Sequence, residues 1–431
     1  MTAQVSASRD LGTPAHAASA RPFLFGRLVD WVFALFILCG MIAIIEPSPY
    51  DFVSLVAMPL WFLGGFRVSR TLIPFFTLLF LYVLGGFVAL VPYWNEPDPT
   101  LFMIQGLYLA VTAVFFALYF SQQTLRRAEL CLMAFTLSAL IAATTGILGY
   151  FDVGGTGAIF ATYGRAAGTF KDPNVLGSYL IMGALYLIQN IILGRTRWLL
   201  ASMAVLLVIV IGVLVSFSRG SWGALVVGSL LTIGLARATA ATPALRWRIT
   251  WMSLLAIGLA LAGLIALLSI DATRETFFQR AAVTQDYDGG ETGRFGNQLR
   301  SLPMLLDLPN GFGPLRFRLI FQLEPHNSYI NSFASYGWLG GFSFFLLVGI
   351  TTFVGFRLCL TRSPFQLPAQ VFWPALLVFL LQGFQIDIDH WRHVYLMLGA
   401  VWGLEAARFT WLAKTARTDA RLDLRASEIA A

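Results

Sequence analysis

The stretch WLLASMAVLLVIVIGVLVSF, residues 198–217, carries no ionisable side chain over 20 residues. As a helix it would be about 30 Å long, the thickness of a bilayer's hydrocarbon core. Its apolar residues run continuously rather than at the spacing of an amphipathic surface helix. A strand of a membrane β-barrel would instead alternate over ~10 residues. FTLLFLYVLGGFVALV, residues 76–91, has the same character, so the reading extends outward from both. Of the 431 residues, 58% are hydrophobic and only 12% charged, against roughly 25% charged in a soluble domain. Mean hydropathy is +0.74.

The expected fold is therefore an all-α polytopic membrane protein. About twelve candidate spans follow from the ~20-residue criterion. They lie near 28–45, 52–66, 71–92, 101–120, 130–150, 174–193, 198–217, 221–236, 251–270, 328–356, 369–386 and 394–412, with the second and eighth short. Residues 1–22 read as a disordered cytoplasmic tail rather than a signal peptide, 23–412 as one transmembrane domain, and 413–431 as a second cytoplasmic tail. Cys39, Cys131 and Cys359 lie scattered among apolar spans, so they read as packing or lipid-facing residues rather than a disulfide or zinc framework.

Lys and Arg collect in cytoplasmic loops. With the N-terminus inside, the predicted inner segments hold Arg21 and Arg27, Arg67 and Arg70, Arg126 and Arg127, Arg195 and Arg197, Arg237, Arg246 and Arg248, Arg357 and Arg362, and then the basic C-terminal tail. The outer loops EPSPYD and YWNEPDPT contain neither Lys nor Arg. Both termini are thus expected in the cytoplasm. The net charge of +7 reflects this topology and does not point to nucleic acid.

Basic residues on the predicted outer side are the exceptions. They are Arg165 and Lys171, Arg219, six arginines in the loop 271–327, and Arg392. The large loop, between the ninth and tenth spans, has no lysine and seven acids. Arginine without lysine fits bidentate recognition of phosphate or carboxylate, and equally fits salt bridges. The spans hold almost no ionisable groups and show no repeated broken helices, both of which an ion-coupled transporter would be expected to have.

Three outer features carry chemistry. Arg219, in SFSRGSWGAL, sits in a very short turn at headgroup level, as a snorkelling arginine or as a ligand for a lipid-linked phosphate. Arg294, in ETGRFGNQLRSLPMLLDLPNGFG, opens a segment where Leu299, Leu302, Leu305 and Leu306 would form one face of a short helix on the membrane surface. His326, in EPHNSYINSFASYGWLGG, lies at the entry to a hydrophobic run, as a cap, a surface residue or a general base. An unperturbed imidazole, with pKa ~6.5, can accept a proton at neutral pH. Two further groups read as metal sites or as ordinary polar structure: DYD at Asp286–Asp288, and Asp387, Asp389, His390 and His393.

SFSRGSWGAL, the Arg294-containing outer loop and the HNSY entry to the next span resemble the O-antigen ligase and Wzy-type polysaccharide polymerase superfamily, over about residues 165–341. The resemblance implies a GT-C-like arrangement of twelve spans with its large periplasmic loop between the ninth and tenth. It also implies an inverting, metal-independent glycosyltransferase in the bacterial inner membrane, without cofactor. Its donor would be a glycan on undecaprenyl diphosphate, and its acceptor a glycan or lipid A core. Arg219 and Arg294 match the family's diphosphate-binding arginines and His326 its base; guanidiniums would neutralise the departing diphosphate, so no metal is called for. Arg165, in GRAAGTFKDPNVLG, resembles a polymerase-branch motif, while Asp172 and Pro173 there also read as a plain helix start. Arg165, Arg300, Asn327 and Tyr329 are further expected contacts to glycan or diphosphate. Membrane lipids, and a flippase and chain-length regulator of the same pathway, are the implied partners. The competing readings are a lipid-linked oligosaccharide flippase or other transporter, and a non-catalytic scaffold.

Overall fold

The computed structural model describes residues 17–271 and 293–430, with residues 274, 275, 277 and 290 between them. Within these the chain is helical almost throughout. In lipid a segment must satisfy its own amides, and a helix does so internally. The helices α1 (Ala17–Cys39), α2 (Pro49–Leu63), α3 (Ile73–Leu90), α4 (Pro97–Phe120) and α5 (Thr124–Tyr150) lead to a short excursion. That excursion comprises α6 (Gly157–Phe160) and a hairpin of β1 (Ala161–Thr162) and β2 (Arg165–Ala166). Next come α7 (Pro173–Leu193), α8 (Leu199–Val215), α9 (Arg219–Ala238) and α10 (Pro243–Leu268). After these stand α11 (Arg294–Leu306), α12 (Phe317–Phe321), α13 (Ser328–Ala334), α14 (Gly337–Leu360), α15 (Gln366–Gln382) and α16 (Arg392–Ala430). Proline in the first turn starts α2, α3, α4 and α7, where its missing N–H leaves no bond unmade.

Among the described residues seven helices are long and apolar enough to cross a membrane. They are α3 with its flanking turns, α4, α5, α7, α9, α10 and α14. The apolar helices α2, α8 and α15 are shorter, at 15, 17 and 17 residues. Large apolar side chains face outward along the bundle, among them Trp31, Phe80, Leu200, Leu230, Ile265 and Phe353. In water that belt would be an aggregation surface; in lipid it is the expected exterior. Inside, α4 packs on α16 and α3 on α14. Gly399 and Gly403, spaced as GxxxG, bring α16 against α4 so closely that a Cβ would lie 2.6 Å from Ala113 O and 2.8 Å from Ala117 O. All three cysteines are buried.

The structure corrects two expectations. The tenth span does not begin at 328, because the run breaks between α13 and α14. Gly337 there has φ +63°, and a Cβ would stand 2.6 Å from Pro309 O. Trp338 N donates to that same carbonyl, and Phe312 N and Gly313 N donate to Ala334 O. The HNSY segment thus lies ahead of the long helix α14, with Asn327 capping the separate α13. Next, Leu305 does not share the outer face of α11. It is buried with Phe312, Phe317 and Phe321, while Phe295, Leu299, Leu302 and Leu306 are exposed. At the ends of the described residues, α1 starts at Ala17 and α16 runs to Ala430.

Candidate active site

At one end of the bundle a cleft of about 450 Å³ is lined by Arg165, Arg219, Arg294 and His326, which span 161 positions of sequence. Asp172, Asn174, Phe217, Gln382, Gln385, Asp387 and Trp391 complete much of its wall. Each cation is delivered by a locally explicable element. Tyr163 (φ +53°) and Gly164 (φ +68°) both adopt the left-handed conformation that a two-residue hairpin turn requires. Thr162 therefore pairs with Arg165. The Arg165 guanidinium is buried, donating from Nε to Ser216 O at 2.8 Å and from one Nη to Asn174 Oδ1 at 2.9 Å.

Arg219 is the first residue of α9, behind Ser218, whose hydroxyl caps the helix by accepting from Ser221 N. Arg294 is likewise the first residue of α11, and one Nη donates to Gln385 O at 3.1 Å. The expected helix start at Asp172 is present: its carboxylate accepts from Asn174 N at 2.7 Å and Pro173 opens α7. The beginnings of α7, α9 and α11 thus all face the cleft, and His326 precedes Asn327, the cap of α13. Helix N-termini carry partial positive charge, which adds to that of the arginines.

His326 has φ +46°, a conformation uncommon for a residue with a Cβ, and Phe217 in the same wall has φ +46°. Asp387 holds His326 there. Its carboxylate accepts from His326 N and from Asn327 N, both at 3.1 Å. The His326 Nδ1 lies 3.6 Å from Asp387 Oδ2, so an imidazolium formed at this position has a carboxyl group beside it. Burial, and then the neighbouring carboxylates Asp389 and Glu324, push the Asp387 carboxyl up to about 8. From the other side, Gln298 of α11 donates to Pro325 O at 2.9 Å. The polar face of α11 thus grips the residue before the histidine while its apolar face points away.

Three expected contacts lie outside the cleft. Arg300 is exposed, its guanidinium 5.7 Å from the Phe321 ring. Asn327 is a buried cap, accepting from Tyr329 N and Ile330 N. Tyr329 is buried, donating to Leu380 O at 2.8 Å and stacking on Phe384. Both are committed to holding α13 in place, so they act on the site through His326.

Asp286 and Asp288 lie outside the described residues. Asp387, Asp389, His390 and His393 do not converge on one point: Asp389 and His390 pair with each other, Asp387 holds the His326 backbone, and His393 lies apart among aromatic rings. Asp389 accepts from Asn331 Nδ2 at 3.0 Å and lies 3.2 Å from His390 Nδ1. His390 Nε2 faces Phe102 O. Burial disfavours the His390 imidazolium, but the hydrogen bond and charge of Asp389 outweigh it and raise its pKa. His393 packs among the rings of Tyr179, Phe379 and Trp391. Among the described residues no three His, Cys, Asp or Glu side chains gather to hold a metal ion.

Gln382 and Gln385 are not conspicuous in the sequence, and Asp387 reads there as a cation ligand or as an interfacial hydrogen-bonding group. The available signal was the polar strip QGFQID closing an otherwise apolar run. Compared with known proteins, the chain matches no family model and no curated protein.

Proposed function

We propose that the protein is an inner-membrane glycosyltransferase that moves a glycan from undecaprenyl diphosphate to an acceptor hydroxyl at the periplasmic face. The observation that carries this reading is the convergence of three arginines, three helix N-termini and one histidine on a single cleft. That combination suits a ligand with clustered negative charge next to a group that must lose a proton. In this reading all twelve long helices cross the membrane, both termini are cytoplasmic, and the cleft opens on the side holding the loop between the ninth and tenth spans.

Arg219 and Arg294 bind the diphosphate and stabilise the charge it gains as the bond from the anomeric carbon to its oxygen breaks. Arg165, fixed by Ser216 and Asn174, completes the positive wall. His326 takes the proton from the acceptor hydroxyl as its oxygen forms the new bond to the anomeric carbon. Attack opposite the leaving group inverts that centre. Asp387 orients the histidine. The polymerase activity, joining one lipid-linked repeat to another, is favoured slightly over the ligase because GRAAGTFKDPN, which enters the site wall through Arg165 and Asp172, resembles the polymerase branch.

The test is His326→Ala in the native host, with surface and secreted polysaccharide resolved on a gel beside a measurement of protein level. Loss of polymer at normal protein level is expected. Single capped units would then identify a polymerase, and long chains left on undecaprenyl diphosphate a ligase. Unchanged polysaccharide would remove the catalytic role and bring a flippase or scaffold forward.

A further inference from the structure

The three segments that bring Arg219, Arg294 and His326 to the cleft are fastened to the same six residues, Gln382–Asp387, which close α15. Gln382 Nε2 donates to Gly220 O at 3.0 Å, in the turn that carries Arg219. Gln385 O receives Arg294. Asp387 holds the backbone of His326 and Asn327. Between them, Gly383 O accepts from Ser328 N at 2.7 Å and Phe384 O from Asn327 Nδ2 at 3.3 Å. The Gln382 amide is itself fixed. A backbone carbonyl can only accept, so Nε2 faces Gly220, and Oε1 accepts from Ser178 Oγ at 2.7 Å. Ser178 in turn meets Ser221, which bonds the Ser218 cap. Gln382 is buried, so neither of its bonds is readily replaced by water.

We propose that this strip is the template that sets the spacing of Arg219, Arg294 and His326, and that Gln382 is a positioning residue for Arg219. The inference rests on the diphosphate reading above. α9 packs on α7 and α15, but its first turn is where α9 would otherwise fray. The Gln382 bond to Gly220 pins that turn one residue beyond Arg219. The guanidinium then meets a diphosphate already oriented rather than having to be ordered on binding.

The test uses the full chain in nanodiscs with two probes, farnesyl diphosphate and farnesol, which share an apolar tail and differ in the charged group. Wild type prefers the diphosphate. Gln382→Met, close in volume and uncharged, is expected to weaken farnesyl diphosphate binding about tenfold. Farnesol affinity, measured well below the melting transition, stays at the wild-type value, which separates positioning from a general loss of packing. In an Arg219→Ala background Gln382→Met has no further effect, because the two act through one group. If Gln382→Met lowers the melting temperature, Gln382→Asn replaces it; its amide is one methylene too short to reach Gly220 O. Wild-type diphosphate affinity in the folded Gln382 variant, or an undiminished tenfold loss on top of Arg219→Ala, overturns the positioning role alone. A wild-type protein that binds both probes equally overturns the diphosphate reading, and the template with it.

Discussion

Two sets of arginines occupy opposite ends of this bundle and are handled in opposite ways. Away from the cleft, Arg357 of α14 and Arg408 of α16 both close on Glu405, which is almost wholly buried. Arg408 makes two bonds to it, at 2.8 and 2.9 Å. At the cleft, the bonds described above for Arg165 and Arg294 go to the neutral oxygens of Ser216, Asn174 and Gln385. A carboxylate partner balances a guanidinium's charge, whereas a carbonyl fixes the direction in which a guanidinium points. The first arrangement joins two helices; in the proposed reading the second turns guanidiniums towards an anion.

That contrast can be broken by substitution. The largest effect is expected from Glu405→Ala, which strands the buried Arg408 at the α14–α16 contact beside a half-exposed Arg357 and costs about 3 kcal/mol. Thermal unfolding in nanodiscs should show it, with farnesyl diphosphate affinity per folded molecule unchanged. Next comes Arg219→Lys, which keeps the charge but loses the planar fork. Transfer should fall about 10²-fold at an unchanged melting temperature, while Arg357→Lys leaves transfer near wild type. Gly177→Ala is intermediate in kind. The added methyl would lie 2.5 Å from Ser216 Oγ and 2.7 Å from Ser221 Oγ, so it presses on the Arg219 turn from α7. It should cost about 1–3 kcal/mol and weaken diphosphate binding as well.

The smallest effect is a pH dependence. The folded protein holds the Asp387 proton more tightly than the unfolded chain does, since burial lifts that carboxyl from the ordinary range to about 8. Its stabilising contribution is therefore complete below about pH 4 and is lost as pH rises to about 8. Asp387→Asn, which cannot ionise, should flatten the decline in melting temperature between pH 6 and 8 by about 2–4 °C. An equally steep decline in the variant would show that another group is responsible.

The helices were legible because lipid imposes a single solution on apolar runs such as residues 76–91 and 198–217. The break at Gly337 was not, since it depends on Pro309 O and Ala334 O occupying the space beside it, which composition does not encode. Arg165, Arg219 and Arg294 stood out as charged residues on the predicted outer side, and His326 as an imidazole at the entry to a hydrophobic run. Their supports did not: Asp387 lies 61 positions from His326, and Gln382 lies 162 from Gly220. Both ends of such a bond look unremarkable until the fold joins them. The faces of α11 show the same limit. Leucines at 299, 302, 305 and 306 suggest one stripe, yet Leu305 turns inward because Phe312, Phe317 and Phe321 form a pocket for it.

The central claim is that the cleft binds a lipid diphosphate through its arginines and removes the acceptor's proton through His326. The most direct measurement is the release of undecaprenyl diphosphate by purified protein in liposomes supplied with glycosyl donor and acceptor, alongside the affinity for farnesyl diphosphate. His326→Ala should slow release about 10²–10⁴-fold while leaving that affinity near wild type, because a base acts in the chemical step and not in holding the leaving group. Equal release by wild type and His326→Ala would contradict the account.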